Sequence, residues 1–81
     1  MMTDVFIGLG SNLKDPAAQL ARAVSALATL PETALVAQSP FYASRPVGPQ
    51  DQPDFVNGAV WLRTSLLPHQ LLDELQNVEQ Q

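Results

Sequence analysis

Hydrophobic residues recur along the first half of the chain in two spacings, and each spacing predicts one kind of secondary structure. Residues 5–9 are nearly all apolar and are bounded by glycine, serine and asparagine, which predicts a buried strand. An apolar stripe at helical spacing follows, made of Leu20, Ala23, Val24 and Leu27. Asp15 and Pro16 stand before it as an N-cap and a first-turn proline. We therefore predict a helix that begins at Pro16 and ends near Pro31.

The second half of the chain shows the same two spacings. Residues 34–38 predict a second strand, and residues 55–63 alternate between two faces as a half-buried strand does. One face of this strand carries Val56, Gly58, Val60 and Leu62. Its other face carries Phe55, Asn57, Ala59, Trp61 and Arg63. Pro68 then starts a last helix, whose predicted buried stripe is Leu71, Leu72, Leu75 and Val78.

The predicted order β-α-β-β-α places the chain in the α+β class. It is the first part of the ferredoxin-like split β-α-β motif, which continues with one more strand. In the usual arrangement that strand pairs with the first one, so its absence would leave residues 5–9 with an unpaired apolar edge. We expect a single domain over residues 1–81 with the following strand or strands missing. We also expect an edge open to homodimerisation or to exchange of elements between chains.

Composition and charge narrow the possible functions. The 81 residues carry 4 Lys and Arg against 8 Asp and Glu, and a net charge of −4 argues against nucleic-acid binding. There is no cysteine, which excludes disulfides and thiolate metal sites. No apolar run approaches the roughly 20 residues that span a membrane, and no signal-peptide pattern is present. The sequence thus predicts a cytoplasmic protein without membrane contact.

A proline-rich loop over residues 39–57 is the most informative segment. Pro40, Pro46, Pro49 and Pro53 make it long but stiff, and long ordered loops in small domains are usually functional. Phe55 and Asn57 follow two residues apart, so they share one face of a strand. A ring beside a carboxamide suits a planar heterocycle, because the ring stacks on it and the amide pairs with an N–H and a ring acceptor of the heterocycle. The more common interpretation of an aromatic residue at a strand start is a core position.

Two further patterns leave alternatives open. Gly8-Leu9-Gly10 lies between a strand and a helix, but the dinucleotide fingerprint needs a glycine where Leu13 stands. A tight turn is the simpler interpretation, and lining of a ligand pocket is the alternative. Gln76 and Glu79 share one edge of the last helix. They form either a solvated face or contacts to a ligand. No nucleophile–base set or metal-ligand cluster can be assembled, so we predict neither a catalytic residue nor a metal ligand in this chain.

Three segments together carry a family resemblance. They are Gly8-Leu9-Gly10-Ser11-Asn12-Leu13, Ser39-Pro40-Phe41-Tyr42, and the run from Val47-Gly48-Pro49-Gln50-Asp51-Gln52-Pro53 to Asp54-Phe55-Val56-Asn57. Over essentially all its length the chain resembles the N-terminal half of 6-hydroxymethyl-7,8-dihydropterin pyrophosphokinases. The resemblance implies a ferredoxin-like fold and transfer of pyrophosphate from ATP to the pterin, with Mg²⁺ and release of AMP. It also implies that the other half supplies an arginine-rich loop and the magnesium ligands.

The resemblance assigns site residues as well. It implies a pterin pocket lined, largely through backbone groups, by Ser44, Arg45, Pro46 and Val47. Phe55, where the family commonly has tyrosine, would stack on the pterin, and Asn57 would hydrogen-bond its edge; Arg45 replaces a residue that is often proline. Gln76 and Glu79 match nucleotide-facing positions. We expect a pterin-side half that is inactive alone; the alternative is a non-catalytic pterin-binding or interaction module that is complete at this length.

Overall fold

The computed structural model describes residues 1–48 and 52–79, and at Glu79 it describes the backbone only. The elements in chain order are β1 (Thr3–Ser11), α1 (Pro16–Ala28), β2 (Thr33–Gln38), β3 (Tyr42–Ser44), β4 (Phe55–Thr64) and α2 (Pro68–Glu79). The predicted order of strands and helices is confirmed. One short strand, β3, is added inside the segment that the sequence predicts to be a loop. The fold is α+β and ferredoxin-like, as expected.

The four strands form one antiparallel sheet with β4 at its centre. β1 pairs with β4 along its whole length, from Thr3 opposite Thr64 to Ser11 opposite Val56. β2 and β3 pair with β4 too, and because β1 occupies one side of β4, they lie end to end on the other. Among the described residues β1 pairs with β4 alone, so it is an edge strand.

Ser39, between β2 and β3, continues the hydrogen bonding to β4. Pro40 has no N–H to donate to the ladder, and the hydrogen bonds are made at Ser39 instead. The Ser39 N–H donates to the Ala59 carbonyl at 2.9 Å, and the Ser39 hydroxyl accepts from the Ala59 N–H at 2.9 Å. β2 and β3 therefore behave as one interrupted strand along β4.

Both helices cover the same face of the sheet. The buried hydrophobic residues there are Leu20, Val24, Leu27, Leu30, Val60, Leu62 and Leu71. Leu62 is 0% exposed and Leu27 is 1% exposed, so the packing centre lies where α1 crosses β4. Buried Thr64 is satisfied by the Thr33 hydroxyl at 2.7 Å and by the Leu66 N–H at 3.0 Å. We call this the covered face of the sheet.

Two details of the helices differ from the sequence prediction. Leu72 was predicted to be buried but is 54% exposed, because α2 meets the core through Leu71, with Leu75 and Val78 at its margin. Asp15 is the N-cap residue of α1, as predicted, but its backbone is left-handed (φ 55°) and its side chain makes no capping hydrogen bond. Neither of the described helices is long and apolar enough to cross a membrane.

Candidate functional site

The second face of the sheet is not packed against either helix, and we call it the open face. Alternation and the strand register place on it Asp4, Phe6, Gly8 and Gly10 from β1, Tyr42 and Ser44 from β3, and Phe55, Asn57, Ala59, Trp61 and Arg63 from β4. Phe6 is 74% exposed and Tyr42 is 60% exposed. The residues predicted for a planar ligand therefore stand on the accessible side of the sheet.

Phe55 and Asn57 share one end of the open face, as their spacing predicts. Both side chains are half-buried. The register sets Ser44 opposite Phe55 and Tyr42 opposite Asn57, while Gly10 lies opposite Asn57 on the other side of β4. An aromatic ring, a carboxamide and a hydroxyl are thus gathered at the point where the proline-rich loop joins the sheet.

The Asn57 carboxamide is held by the short strand β3. Its Nδ2 donates to the Ser44 hydroxyl at 2.7 Å and approaches the Tyr42 carbonyl at 3.4 Å. Gly10 gives it room, because a Cβ atom built on Gly10 would lie 3.1 Å from Asn57 Oδ1. Sequence reasoning assigned Ser44 a backbone role and missed this side-chain contact, because the strand that creates it was not predicted.

The other predicted pterin residues follow β3 along the loop. Arg45 and Pro46 line a small cavity of about 150 Å³ together with Gln52 and Asp54. Val47 is fully exposed. Pro49, Gln50 and Asp51, which belong to the motif that carried the resemblance, lie outside the described residues.

The two predicted nucleotide residues lie elsewhere. Gln76 is exposed on α2, a helix that packs on the covered face, whereas Phe55 and Asn57 stand on the open face. The side chain of Glu79 lies outside what the structure describes. The structure therefore does not bring Gln76 next to the aromatic–amide pair.

A larger cavity of about 470 Å³ lies between β1, α1 and α2 and contains none of the predicted pterin residues. Its lining includes Leu9, Leu20 and Val78. Ser11, also in the lining, accepts from the Leu13 N–H at 3.2 Å and donates to Gln19 Oε1 at 2.7 Å. These bonds hold the strand-to-helix turn, in line with the simpler interpretation of the glycine motif. Gly8 and Gly10 also border the cavity, so lining of a ligand pocket stays the alternative interpretation.

A second polar cluster occupies the opposite end of the open face. Asp4 Oδ1 accepts from Arg63 Nε at 3.0 Å and from Trp61 Nε1 at 3.1 Å. Phe6 stacks on Trp61 with ring centroids 5.7 Å apart, and the Arg63 guanidinium lies 5.6 Å from the Trp61 ring centroid. The hydrogen bond from Arg63, and then that from Trp61, holds the pKa of Asp4 below its ordinary value. Sequence reasoning did not predict a role for Asp4 or Phe6.

The two clusters are separate. Trp61 is four residues beyond Asn57 on β4, a distance of about 13 Å along a strand. Ala59 lies between them and, like Gly8 on β1, carries little side chain. Trp61 and Arg63 thus share the face of Asn57, as predicted, but not its site. Within the described ranges, no group of three or more His, Cys, Asp or Glu residues could hold a metal ion.

The chain is similar to known proteins over most of its length. The family model described as 7,8-dihydro-6-hydroxymethylpterin-pyrophosphokinase (HPPK) matches residues 6–81. A 2-amino-4-hydroxy-6-hydroxymethyldihydropteridine pyrophosphokinase of Pseudomonas aeruginosa is 53% identical over 79 residues, covering 98% of this chain and 49% of the relative. Its namesake in Haemophilus influenzae is 51% identical over 78 residues, covering 96% of this chain and 49% of the relative. That of Bacillus subtilis is 39% identical over 74 residues, covering 91% and 44%. The chain spans about half the length of these curated relatives.

Proposed function

The chain belongs to the 7,8-dihydro-6-hydroxymethylpterin-pyrophosphokinase family, and on that premise we propose that residues 1–81 form the pterin-binding, N-terminal half of a pyrophosphokinase domain in folate biosynthesis. The observation that carries the proposal is the aromatic–amide pair on the open face. Phe55 offers a ring for stacking, and Asn57 offers a held carboxamide beside it. Ser44, Arg45, Pro46 and Val47 complete the pocket from the loop side.

The reaction that we propose for the whole protein moves a pyrophosphoryl group. The hydroxymethyl oxygen of the pterin attacks the β-phosphorus of ATP, the bond from that phosphorus to the bridging oxygen of the α-phosphate breaks, AMP leaves, and the hydroxyl proton is released. Such transfers depend on positioning and on neutralising phosphate charge. This chain's contribution is positioning, because Phe55 and Asn57 would fix the pterin plane and its edge.

Magnesium is part of the proposal only for the whole protein. The described residues do not fit a metal ion, since they form no cluster of three or more candidate ligands. We propose that the ligands lie in the part of the relatives' length that this chain does not span. The nucleotide contacts proposed at Gln76 and Glu79 are supported by the exposure of Gln76 on α2. For a protein of this biosynthetic family we propose the cytoplasm as the location.

Binding of 6-hydroxymethyl-7,8-dihydropterin to the purified chain tests the pterin site. We expect Phe55→Ala and Asn57→Ala each to weaken binding about tenfold, which is about 1.4 kcal/mol. The matched control is Arg63→Ala, a substitution on the same open face but at its other end. A titration calorimeter gives the affinities. Equal losses in all three variants would contradict the assignment of the site.

A turnover assay tests whether residues 1–81 are active without the part of the relatives' length that they do not span. We expect the 81-residue chain to form no AMP from ATP and hydroxymethyldihydropterin in magnesium buffer above an Asn57→Ala control, because the described residues hold neither a metal cluster nor grouped cations. AMP formation above that control would show that these residues suffice for catalysis.

A second candidate function is a non-catalytic pterin-binding or interaction module that assembles as a homodimer. The observation in its favour is that β1, in the part of the chain that the structure describes, pairs on one side only. Such an edge is a template for a second strand, and a second copy would supply one. Light scattering across a concentration series tests this. A monomer at all concentrations would rule out the homodimer.

A further inference from the structure

The orientation of the Asn57 carboxamide follows from its neighbours on β3. The Ser44 hydroxyl can donate or accept, so by itself it does not decide which end of the amide faces it. The Tyr42 carbonyl, 3.4 Å from the same amide atom, can only accept. The atom facing β3 is therefore the nitrogen, which donates to Ser44 at 2.7 Å.

The oxygen of the amide consequently faces the other way, toward β1. It lies against Gly10, where a Cβ atom would come within 3.1 Å of Oδ1. Among the described residues Oδ1 accepts no hydrogen bond, while both acceptors near Nδ2 come from the protein. Asn57 therefore presents an acceptor, rather than a donor, over the open face.

We infer that Ser44 is a positioning residue: its hydroxyl holds the Asn57 carboxamide so that the site recognises a hydrogen-bond donor on the ligand edge. This inference rests on the proposed function for the identity of the ligand, a pterin, and deepens it. A planar heterocycle with a lactam N–H or an exocyclic amine at that edge pairs with Oδ1. A heterocycle with only an acceptor there leaves two lone pairs facing each other, which is unfavourable.

The ligand-free protein provides the first test, by NMR of the Asn57 side-chain amide. In the wild type we expect one Nδ2 proton to be shifted downfield and slowed in exchange, and Ser44→Thr to keep both features. Ser44→Ala should lose them, whereas Ser25→Ala, a control at an exposed serine on α1, should not. An Asn57 amide that is unchanged in Ser44→Ala would overturn the inference.

Binding provides the second test, through a double-mutant cycle with 6-hydroxymethyl-7,8-dihydropterin. We expect Ser44→Ala to weaken binding three- to tenfold, Ser44→Thr to restore it, and Ser44→Ala to cost nothing when Asn57 is already alanine. A full cost in the Asn57→Ala background would mean that the hydroxyl contacts the ligand itself, and the inference would be wrong.

A lactam N-methylated analogue addresses the donor requirement. We expect the wild type to bind it at least tenfold more weakly than the parent pterin, and Ser44→Ala to weaken it no further. Equal affinities for the two compounds would contradict an acceptor at Asn57. If the wild type binds neither compound but the amide responds to Ser44→Ala as expected, the positioning role stands and the proposed pterin function fails.

Discussion

The two faces of β4 differ in burial, and we propose that one serves stability and the other recognition. On the covered face, Gly58, Val60, Leu62 and Thr64 are buried. On the open face, Asn57, Ala59, Trp61 and Arg63 are half-buried or exposed. Neighbouring residues of one strand therefore have different surroundings, because successive side chains point to opposite sides of a sheet. A substitution can be directed at folding or at binding by a shift of one position.

The open face itself has two ends with different chemistry. At one end two hydrogen bonds, from Trp61 Nε1 and from Arg63 Nε, converge on Asp4 Oδ1. At the other end Ser44 occupies the nitrogen of Asn57, and Oδ1 has no hydrogen-bond partner among the described residues. A polar atom that is held in place and still has capacity is what a ligand can use. This supports our proposal of the Asn57 end as the binding site, although the Trp61 end is richer in aromatic surface.

The largest effect should come from the covered face. Leu62→Ala removes a fully buried side chain from the hydrophobic core, so we expect a loss of about 2–5 kcal/mol in the free energy of unfolding. The neighbouring Arg63→Ala removes an exposed ion pair, and we expect less than about 1 kcal/mol. Urea denaturation followed by circular dichroism measures both. Similar losses would mean that the open face contributes to stability as the core does.

Two glycines provide a smaller and sharper comparison of the faces. A Cβ atom on Gly58 would meet the Phe41 ring at 3.0 Å, whereas one on Gly8 meets no heavy atom within 4 Å. We expect Gly58→Ala to destabilise by about 1–3 kcal/mol, since the ring must move in a packed region. Gly8→Ala, on the open face, should stay within about 0.5 kcal/mol. Thermal melting of the two variants side by side measures the difference; a neutral Gly58→Ala would show that Phe41 moves without cost.

The covered face could be predicted from the sequence because its residues repeat at the spacing of a helix or a strand. Leu20, Val24 and Leu27 repeat at helical spacing and are buried, and Val60 and Leu62 alternate and are buried. The exceptions are Leu72, which fits the helical spacing but is exposed, and Phe6, which lies in the strand predicted to be buried but is 74% exposed. The apolar stripe of a helix is wider than the strip that contacts the core. Only the packing of the helix decides which edge of the stripe is buried.

The candidate site could be predicted only in part. The shared face of Phe55 and Asn57 follows from their spacing. The contact between Ser44 and Asn57 does not, because residues 42–44 are too few, and too close to Pro40 and Pro46, to show a strand period. β3 exists because β4 offers it a partner, and such pairing between distant segments leaves no local signal.

The smallest expected effect concerns the Trp61 end of the open face and is a pH dependence. Because hydrogen bonds from Arg63 and Trp61 lower the pKa of folded Asp4, its contribution to stability is complete above the ordinary carboxyl value of about 3.9 and is lost as the pH falls through the lowered folded value. Asp4→Asn should therefore be less stable than the wild type at about pH 6 and equal to it in strong acid.

The single tryptophan makes this measurable at the site itself, since the fluorescence of Trp61 follows urea unfolding and reports on its own hydrogen bond to Asp4. Asp73→Asn, an exposed carboxylate on α2, is the control for lost charge. We expect the difference between wild type and Asp4→Asn to shrink in about 1 M salt, where charges are screened beyond about 3 Å. A difference that persists in acid would mean that packing of Phe6 on Trp61, rather than the Asp4 charge, stabilises this end of the open face. The two ends would then differ in how their side chains pack, not in how their polar groups are paired.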